Sequence, residues 1–235
     1  MGLLRSDIDR LLDGDLDLNR AASSAARLGT AAREIHVALA AIGSAPVRRP
    51  ERVAWFTDGQ DLLSRALELT AGRAEGALLE RWAPRLWLTM AAHGVKAVGP
   101  VQPVHGDFHL GQILRSKDGR YWVIDFEGEP DRPLAERLCW RSPVWDVATM
   151  LRSFANSSPM VARRRAADPA VLQSFVAEAR AAFLDSYGPV DPALLLAFEA
   201  AKACHEVAYA SVYLPEWFDV AWRSLEALAE SVGAR

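Results

Sequence analysis

The sequence predicts a mainly α-helical fold into which one small β-hairpin is inserted. Apolar residues recur at helical spacing along most of the 235 residues, whereas runs typical of β-strands occur only between residues 113 and 126. Hydrophobic residues make up 51% of the chain and charged residues 24%, which supplies enough apolar surface for a globular core. That balance excludes a disordered chain and a coiled-coil rod.

The predicted helices begin and end at ordinary helix signals. Apolar residues keep helical spacing over residues 18–42, where Gly43 is the expected stop. A proline-rich break at 45–53 separates this helix from a helical region at 60–93, which Pro84 is expected to interrupt. Further helices are expected over residues 169–187 and 192–213, and a last one is expected to begin near Trp217.

The predicted hairpin joins two short runs of β-forming residues. The first covers residues 113–114 and the second covers residues 121–126. Between them, the Lys-Asp-Gly sequence at 117–119 is a turn of the Asp-Gly kind that hairpins favour. The hairpin therefore interrupts an otherwise helical chain.

Composition excludes several classes of partner. The net charge of −3 argues against a nucleic-acid binder that neutralises many phosphates. No run approaches the roughly 18 apolar residues of a transmembrane helix, and acidic residues stand where a secretory signal would have its apolar run. The two cysteines, Cys139 and Cys204, are too few for a disulfide framework, which indicates a reducing, cytoplasmic location. We therefore expect no nucleic-acid and no membrane partner.

The residues that can carry chemistry lie in one segment, VHGDFHLGQILRSKDGRYWVIDFEGEP, at 104–130. Asp107 is expected in a loop, Gln112 at the start of the hairpin and Asp125 at the end of its second strand. Phosphoryl transfer needs one carboxylate that orients and deprotonates the attacking hydroxyl. It also needs an amide oxygen and a second carboxylate that hold Mg²⁺ against the nucleotide phosphates. The segment therefore predicts a phosphotransfer site with Asp107 as catalytic base and with Gln112 and Asp125 as magnesium ligands.

The same segment carries a family resemblance. Its spacing is similar to the kinase pattern H-R-D-x-x-x-x-N followed by D-F-G, with Gln112 in place of the asparagine. HGDFHLGQIL and IDFEGEP resemble the maltokinases and their relatives in the protein-kinase-like aminoglycoside phosphotransferase superfamily. LGTAAREIHVALA, ERLCWRSPVWDVATMLRSF and AKACHEVAYASVYLPEWF resemble other parts of that family. The resemblance implies ATP-dependent phosphorylation of a sugar hydroxyl, with maltose or glucosamine as the candidate acceptor.

Three further residues are expected around the catalytic loop. His105 is expected to support the loop through hydrogen bonds rather than by titrating. Asp146 follows a Ser-Pro pair at the start of a helix, from which it would bond the backbone of the catalytic loop. For His109, a structural role beside Asp107 and a contact with the substrate both stay open.

The sugar side of the site is expected from a smaller signal. Carbohydrate sites often combine an aromatic platform with a carboxylate that accepts hydroxyl hydrogen bonds. Glu206 and Tyr209 lie three residues apart on one helix face, and Trp217 follows them, although a tryptophan after Pro215 can equally be core packing. The acids of DFEGEP can face the sugar or form a hydrated turn. The candidate sugar-binding residues are His109, Glu127, Glu129, Glu206, Tyr209 and Trp217.

The resemblance also implies a second lobe. Kinases of this type bind ATP between a β-rich N-lobe, which supplies a lysine, and a helical C-lobe. The only lysine ahead of Asp107 is Lys96, and no strand-rich segment precedes Leu18. We therefore expect a single kinase-like C-lobe over 1–235, to which a missing N-lobe or a separate chain would add the rest of the ATP site. Its parts would be a helical segment at 1–100, the catalytic loop and metal-binding hairpin at 101–130, and a helical substrate-side subdomain at 131–235.

Three other functions stay open from the sequence. One is an antibiotic-type or other small-molecule phosphotransferase, and another is a catalytically silent sugar-binding or interaction module. The third is a metallohydrolase built on the His-x-Asp-x-His run at 105–109, which would need more ligands in register. The remaining histidines, His36, His93 and His205, are each isolated on a predicted helix.

Overall fold

The computed structural model describes residues 2–96, 99–116 and 120–233, and within them the chain is mainly helical with short antiparallel strands. This confirms the predicted fold class. The helices are α1 (Gly2–Leu12), α2 (Leu18–Ala40), α3 (Arg49–Thr70), α4 (Ala74–Lys96), α5 (Leu134–Arg137), α6 (Val144–Ala162), α7 (Pro169–Tyr187), α8 (Pro192–Tyr213) and α9 (Phe218–Gly233). The strands are β1 (Ala45–Pro46), β2 (Pro100–Val101), β3 (Ile113–Arg115) and β4 (Tyr121–Val123), and single 3₁₀ turns cover Leu110–Gln112 and Pro215–Trp217.

The elements group into two compact units, each made from two separate pieces of chain. One unit comprises Met1–Ala45 and Pro100–Val190, and the other comprises Pro46–Gly99 and Asp191–Arg235. The expected divisions at residues 100 and 130 follow chain order, whereas these units follow contacts in space. That the two units act as one kinase-like C-lobe stays a prediction.

In the first unit, α2 packs along α7 at one very close contact. A Cβ atom on Gly29 of α2 would lie 2.2 Å from the carbonyl oxygen of Phe183 on α7. Only a glycine therefore allows the two backbones to approach this far. Helices α2, α6 and α7 also carry fully buried apolar side chains, among them Leu28, Phe154 and Phe175.

The second unit is a bundle of α3, α4, α8 and α9. Its core is formed by Leu63, Leu79, Leu86, Met90 and Val207, all of which are buried. The indole rings of Trp82 and Trp222 stack at its margin with their centroids 5.7 Å apart. Burying several large side chains of this kind contributes about 1.5–3 kcal/mol for each of them.

Two helix predictions in this bundle are wrong. Helix α4 runs through Pro84, and the chain breaks earlier, at residues 71–73, between α3 and α4. Leu79 and Leu86 are fully buried on either side of the proline, so packing offsets the hydrogen bond that proline cannot make. Helix α3 begins at Arg49 rather than near residue 60, because the Glu51 carboxylate accepts the Arg48 N–H at 3.0 Å and ends the proline-rich break.

The hairpin is present but shorter than expected. Ile113 pairs with Val123 and Arg115 pairs with Tyr121 in antiparallel register, whereas the sequence predicts a second strand that continues to residue 126. Asp125 has a φ of +66°, a left-handed conformation that cannot continue a strand. The predicted turn at 117–119 lies outside the described residues.

Within the described part of the chain, none of the helices combines the length and the apolar character needed to cross a membrane. Cys139 is exposed and Cys204 is buried, and neither forms a disulfide bond.

The close contact between α2 and α7 predicts the effect of adding one methyl group. Gly29→Ala is expected to lower the free energy of unfolding by about 2–3 kcal/mol, because the new Cβ would overlap a backbone oxygen that cannot rotate away. Gly59→Ala in α3 is the matched control, since its Cβ would meet the flexible Met90 Sδ at 3.0 Å. Urea denaturation followed by circular dichroism measures both. Equal stability of the two variants would contradict the prediction.

Candidate active site

The loop that carries Asp107 is held at the Gly106 peptide. The Gly106 N–H donates to Asp146 Oδ1 at 2.9 Å, and the Gly106 carbonyl accepts the indole N–H of Trp145 at 3.1 Å. Gly106 has a φ of +84°, and a Cβ there would lie 3.1 Å from the Cα of Gly128. Both the backbone conformation and the close approach of Gly128 therefore require glycine at position 106.

Asp146 is the buried acceptor for this loop. Its carboxylate is 0% exposed, near the start of α6. Besides the Gly106 N–H it accepts the His105 N–H at 2.8 Å, and its Oδ2 lies 3.0 Å from Nε2 of His36. Three donors therefore offset the cost of removing this carboxylate from water.

His105 links the loop to the hairpin. Its Nε2 lies 2.9 Å from the Ile124 carbonyl oxygen, and its Nδ1 accepts the Asp107 N–H at 3.4 Å. Because a carbonyl only accepts, the ring carries its hydrogen on Nε2 and is neutral. The buried ring also lies against Phe126, with the centroids 4.6 Å apart.

Asp107 and His109 face each other across the loop. Nε2 of His109 lies 3.5 Å from Oδ2 of Asp107, whose side chain is 19% exposed. The other ring nitrogen of His109, Nδ1, accepts the Gly111 N–H at 2.9 Å. The hydrogen of a neutral His109 ring is therefore on the nitrogen that faces the Asp107 carboxylate.

Gln112 and Asp125 are brought into direct contact. The Gln112 side-chain amide donates to Asp125 Oδ2 at 3.2 Å. The Gln112 backbone is tied to the catalytic loop by its N–H, which donates to His109 O at 3.0 Å, and to the hairpin by its carbonyl, which accepts the Ile124 N–H at 3.1 Å. Among the described residues, Asp125 is the one non-glycine with a positive φ, a conformation that aspartate tolerates better than most residues.

These contacts connect the expected catalytic residues into one set. His105, Asp107, His109, Gln112, Asp125 and Asp146 are joined to one another through the bonds just described. The carboxylate and amide of Asp125 and Gln112 supply oxygen atoms of the kind that Mg²⁺ prefers, and both side chains reach solvent. The donor set therefore fits a divalent cation.

The two acids of DFEGEP have different surroundings. Glu127 is exposed, with a carboxylate oxygen 3.9 Å from Arg137. Glu129 is 3% exposed and pairs with Arg132, whose guanidinium lies over the Trp145 ring. Glu129 thus belongs to a buried ion pair beside the residue that holds Gly106, and a sugar contact for either acid stays a prediction.

Glu206, Tyr209 and Trp217 all belong to the second unit. Glu206 and Tyr209 are on α8 and Trp217 is in the 3₁₀ turn that follows, and all three are partly exposed. The Tyr209 ring contacts the Tyr213 ring with centroids 4.8 Å apart. Their placement relative to Asp107 stays a prediction.

Two contributors to the site were missed in the sequence. In the sequence, His36 is an isolated histidine, yet its ring forms a hydrogen bond with Asp146, which is 110 residues away in the chain. Trp145 appears only as one aromatic residue of a family segment, and it holds the Gly106 carbonyl. No local spacing signals either contact, because each depends on how helices pack against the loop.

The comparison with known proteins agrees with this geometry. Residues 7–198 match the profile of the phosphotransferase enzyme family, APH. The chain belongs to this family. The predicted resemblance to the phosphotransferase superfamily is thereby confirmed, and the match covers both the catalytic loop and the helices that hold it.

The relatives of this family member are named glucosamine kinases rather than maltokinases. The chain is 36% identical over 222 residues to a glucosamine kinase from Streptacidiphilus jiangxiensis, a match that covers 90% of this chain and 50% of that one. It is 34% identical over 141 residues to a glucosamine kinase from Mycolicibacterium smegmatis, covering 56% and 35% of the two chains.

Solved structures give the same result. A glucosamine kinase in complex with glucosamine, ADP and inorganic phosphate matches with a TM-score of 0.89 and 36% identity, over 97% of this chain and 56% of that one. Crystal form B of a glucosamine kinase matches with a TM-score of 0.91 and 35% identity, over 98% and 58%. The chain thus spans about half the length of the curated relatives it matches.

The Trp145 bond predicts a measurable contribution to stability. Trp145→Phe keeps an aromatic ring but leaves the Gly106 carbonyl without its indole donor, which is expected to cost about 1–3 kcal/mol of unfolding free energy. Trp122→Phe, at an exposed hairpin position, is the control and is expected to change stability by less than about 0.5 kcal/mol. Urea denaturation compares the two, and similar losses in both variants would refute the prediction.

Proposed function

We propose that this chain forms the catalytic part of an ATP-dependent kinase that phosphorylates a sugar hydroxyl, with glucosamine as the acceptor. The observation that carries the proposal is the connected set of Asp107, Gln112 and Asp125, in which Gln112 contacts Asp125 directly and is linked to Asp107 through His109. The names of the relatives favour glucosamine over maltose. A cytoplasmic location stays a prediction from the cysteine count.

Asp107 is proposed to orient the acceptor hydroxyl and take its proton. Its side chain is mostly shielded from water, and the neighbouring His109 ring directs an N–H toward one of its oxygens. That contact leaves the carboxylate in one orientation, so a hydroxyl in hydrogen-bond reach of it would be aligned for attack on the terminal phosphate. The catalysis is positioning and electrostatics, without a covalent enzyme intermediate.

Asp125 and Gln112 are proposed to hold Mg²⁺. A bound magnesium ion neutralises charge on the phosphates of ATP and supplies much of the stabilisation of the transferring phosphoryl group. The left-handed backbone at Asp125 turns the chain out of the strand immediately after β4, and the bond from Gln112 fixes the direction of the Asp125 carboxylate. Both side chains are thereby held ready without a large rearrangement.

Glu206, Tyr209 and Trp217 are proposed as the sugar-binding residues. The partly exposed carboxylate can accept hydrogen bonds from hydroxyl or ammonium groups, and an aromatic ring can cover the apolar face of a pyranose. We propose that this set contacts the sugar, and that a lysine-bearing lobe completes the ATP site.

Cation binding tests the metal assignment without catalysis. Asp125→Asn is expected to weaken Mn²⁺ binding at least tenfold, because it removes the charged ligand while asparagine keeps the left-handed backbone. Water-proton relaxation in a Mn²⁺ titration measures the affinity. Asp61→Asn, at an exposed position of α3, is the control. Equal affinities in the two variants would place the cation elsewhere.

Phosphoryl transfer tests the function itself. With radiolabelled ATP, we expect the 235-residue chain to phosphorylate glucosamine in preference to maltose or kanamycin, and we expect Asp107→Asn to slow transfer at least about a hundredfold. The rate is expected to fall far below the roughly 1–100 s⁻¹ of typical kinases, because Lys96, the one lysine ahead of Asp107 in the sequence, is the last residue of helix α4 and so does not lie on a strand.

Each of the other outcomes would favour a different function. Turnover in the usual kinase range would show that the lobe expected from the resemblance is not needed. A preference for kanamycin would favour an antibiotic-type phosphotransferase. Glucosamine binding without transfer that depends on Asp107 would favour a silent sugar-binding module.

A further inference from the structure

Two side chains, Tyr187 and His36, are linked by hydrogen bonds to Asp146 and through it to the catalytic loop. We refer to these three residues as the relay. The His36 ring, 6% exposed on α2, lies between two partners. Its Nε2 is 3.0 Å from Asp146 Oδ2, and its Nδ1 is 2.9 Å from the Tyr187 hydroxyl at the end of α7. Neither His36 nor Tyr187 is needed for the chemistry proposed above, so the function does not account for them.

The hydrogen bonds of this relay have one consistent direction. The Asp146 carboxylate already accepts two backbone N–H groups, so the nitrogen of His36 that faces it must donate. In the neutral ring the opposite nitrogen, Nδ1, is then the acceptor, and the Tyr187 O–H donates to it. Burial and, after it, the Asp146 charge raise the pKa of the Tyr187 phenol, which therefore keeps its proton as this direction requires.

The packing of α2 against α7 fixes the position of His36 relative to Tyr187. Gly29 lies two turns before His36 on α2, and Phe183 lies one turn before Tyr187 on α7, so the close contact of Gly29 with the Phe183 carbonyl sets the register of the relay. The Phe183 and Tyr187 rings lie parallel to each other, and the Gln102 side chain donates to the His36 carbonyl at 2.8 Å. The position of the ring is thus determined from its backbone as well as from both nitrogens.

We propose that His36 and Tyr187 are positioning residues of the catalytic loop. Tyr187 holds the His36 ring in the tautomer that has its hydrogen on Nε2, and His36 in turn holds Asp146 so that both carboxylate oxygens face the backbone N–H groups of His105 and Gly106. Asp107 follows Gly106 directly, so the relay sets the position of the proposed catalytic base. The catalytic part of this inference rests on the proposed kinase function.

Removal of His36 or Tyr187 would change the position of the catalytic loop rather than the binding of the substrate. Without the Nε2–H donor, Asp146 Oδ2 keeps only the His105 N–H among its described bonds, and the carboxylate is held less firmly against the loop. The two loop amides would then open more often to solvent. Glu206, Tyr209 and Trp217 lie in the other unit, and no relay residue belongs to it.

Amide hydrogen exchange measures this effect in the 235-residue chain without ATP or sugar. Tyr187→Phe is expected to accelerate exchange of the His105 and Gly106 amides at least tenfold, and His36→Ala is expected to accelerate it further. Amides in the middle of α6 and α7, such as those of Phe154 and Phe175, are expected to keep their rates. His36→Gln, which retains a side-chain N–H donor, is expected to restore part of the protection. Tyr213→Phe, at an exposed position of α8, is the matched control.

Two results would overturn the proposal. One is acceleration that is uniform across α6, α7 and the loop, which would show a purely structural role. The other is a ¹⁵N spectrum of the His36 ring in the unaltered chain that reports a hydrogen on Nδ1, either in the other neutral tautomer or in the charged ring. The second measurement needs no variant and therefore holds even if His36→Ala fails to fold.

Transfer kinetics separate this inference from the proposed function. If the chain phosphorylates glucosamine, Tyr187→Phe is expected to lower kcat about tenfold and to leave KM for glucosamine within twofold, because the loop and not the sugar site is affected. An unchanged kcat would refute the catalytic meaning of the relay. If the chain transfers no phosphate, the exchange rates and the ring tautomer still decide whether the relay positions the loop.

Discussion

A carboxylate can remain in a protein interior only where hydrogen-bond donors replace the water it has lost, and in this chain that requirement falls on Asp146. The three donors that meet it come from α2 and from two consecutive residues of the catalytic loop. Helix α6 supplies the acid, so one buried charge fixes three parts of the first unit relative to one another. The candidate active site depends on this arrangement.

The Gly106 carbonyl of the catalytic loop is held by a neutral indole, which charged side chains cover. Trp145 binds the Gly106 carbonyl, and its ring lies under the Arg132 and Arg141 guanidinium groups. Glu129 pairs with Arg132, which connects the DFEGEP segment to the same tryptophan. Residues 105–107 are therefore fixed by bonds to their backbone, and the Asp107 side chain is left at a partly open surface.

The acids of the site differ in burial according to the tasks proposed for them. Asp146 is fully enclosed and serves the fold, Asp107 is mostly shielded, and Asp125 is exposed beside Gln112. A shielded carboxylate interacts strongly with a single hydroxyl, whereas a metal ligand must reach an ion that also binds the phosphates of a nucleotide. Position along the loop and hairpin, rather than residue type, separates these tasks.

The sequence by itself determined the helical fold class, the hairpin, the family and the candidate chemistry of Asp107, Gln112 and Asp125, because these features depend on residues close together in the chain. Only the tertiary structure decided that α4 continues through Pro84, where buried leucines compensate the missing bond, and that β4 ends before the left-handed Asp125. It also decided that His36 serves Asp146, 110 residues away. Such a contact arises from which helix faces pack together, and no local spacing of residues encodes it.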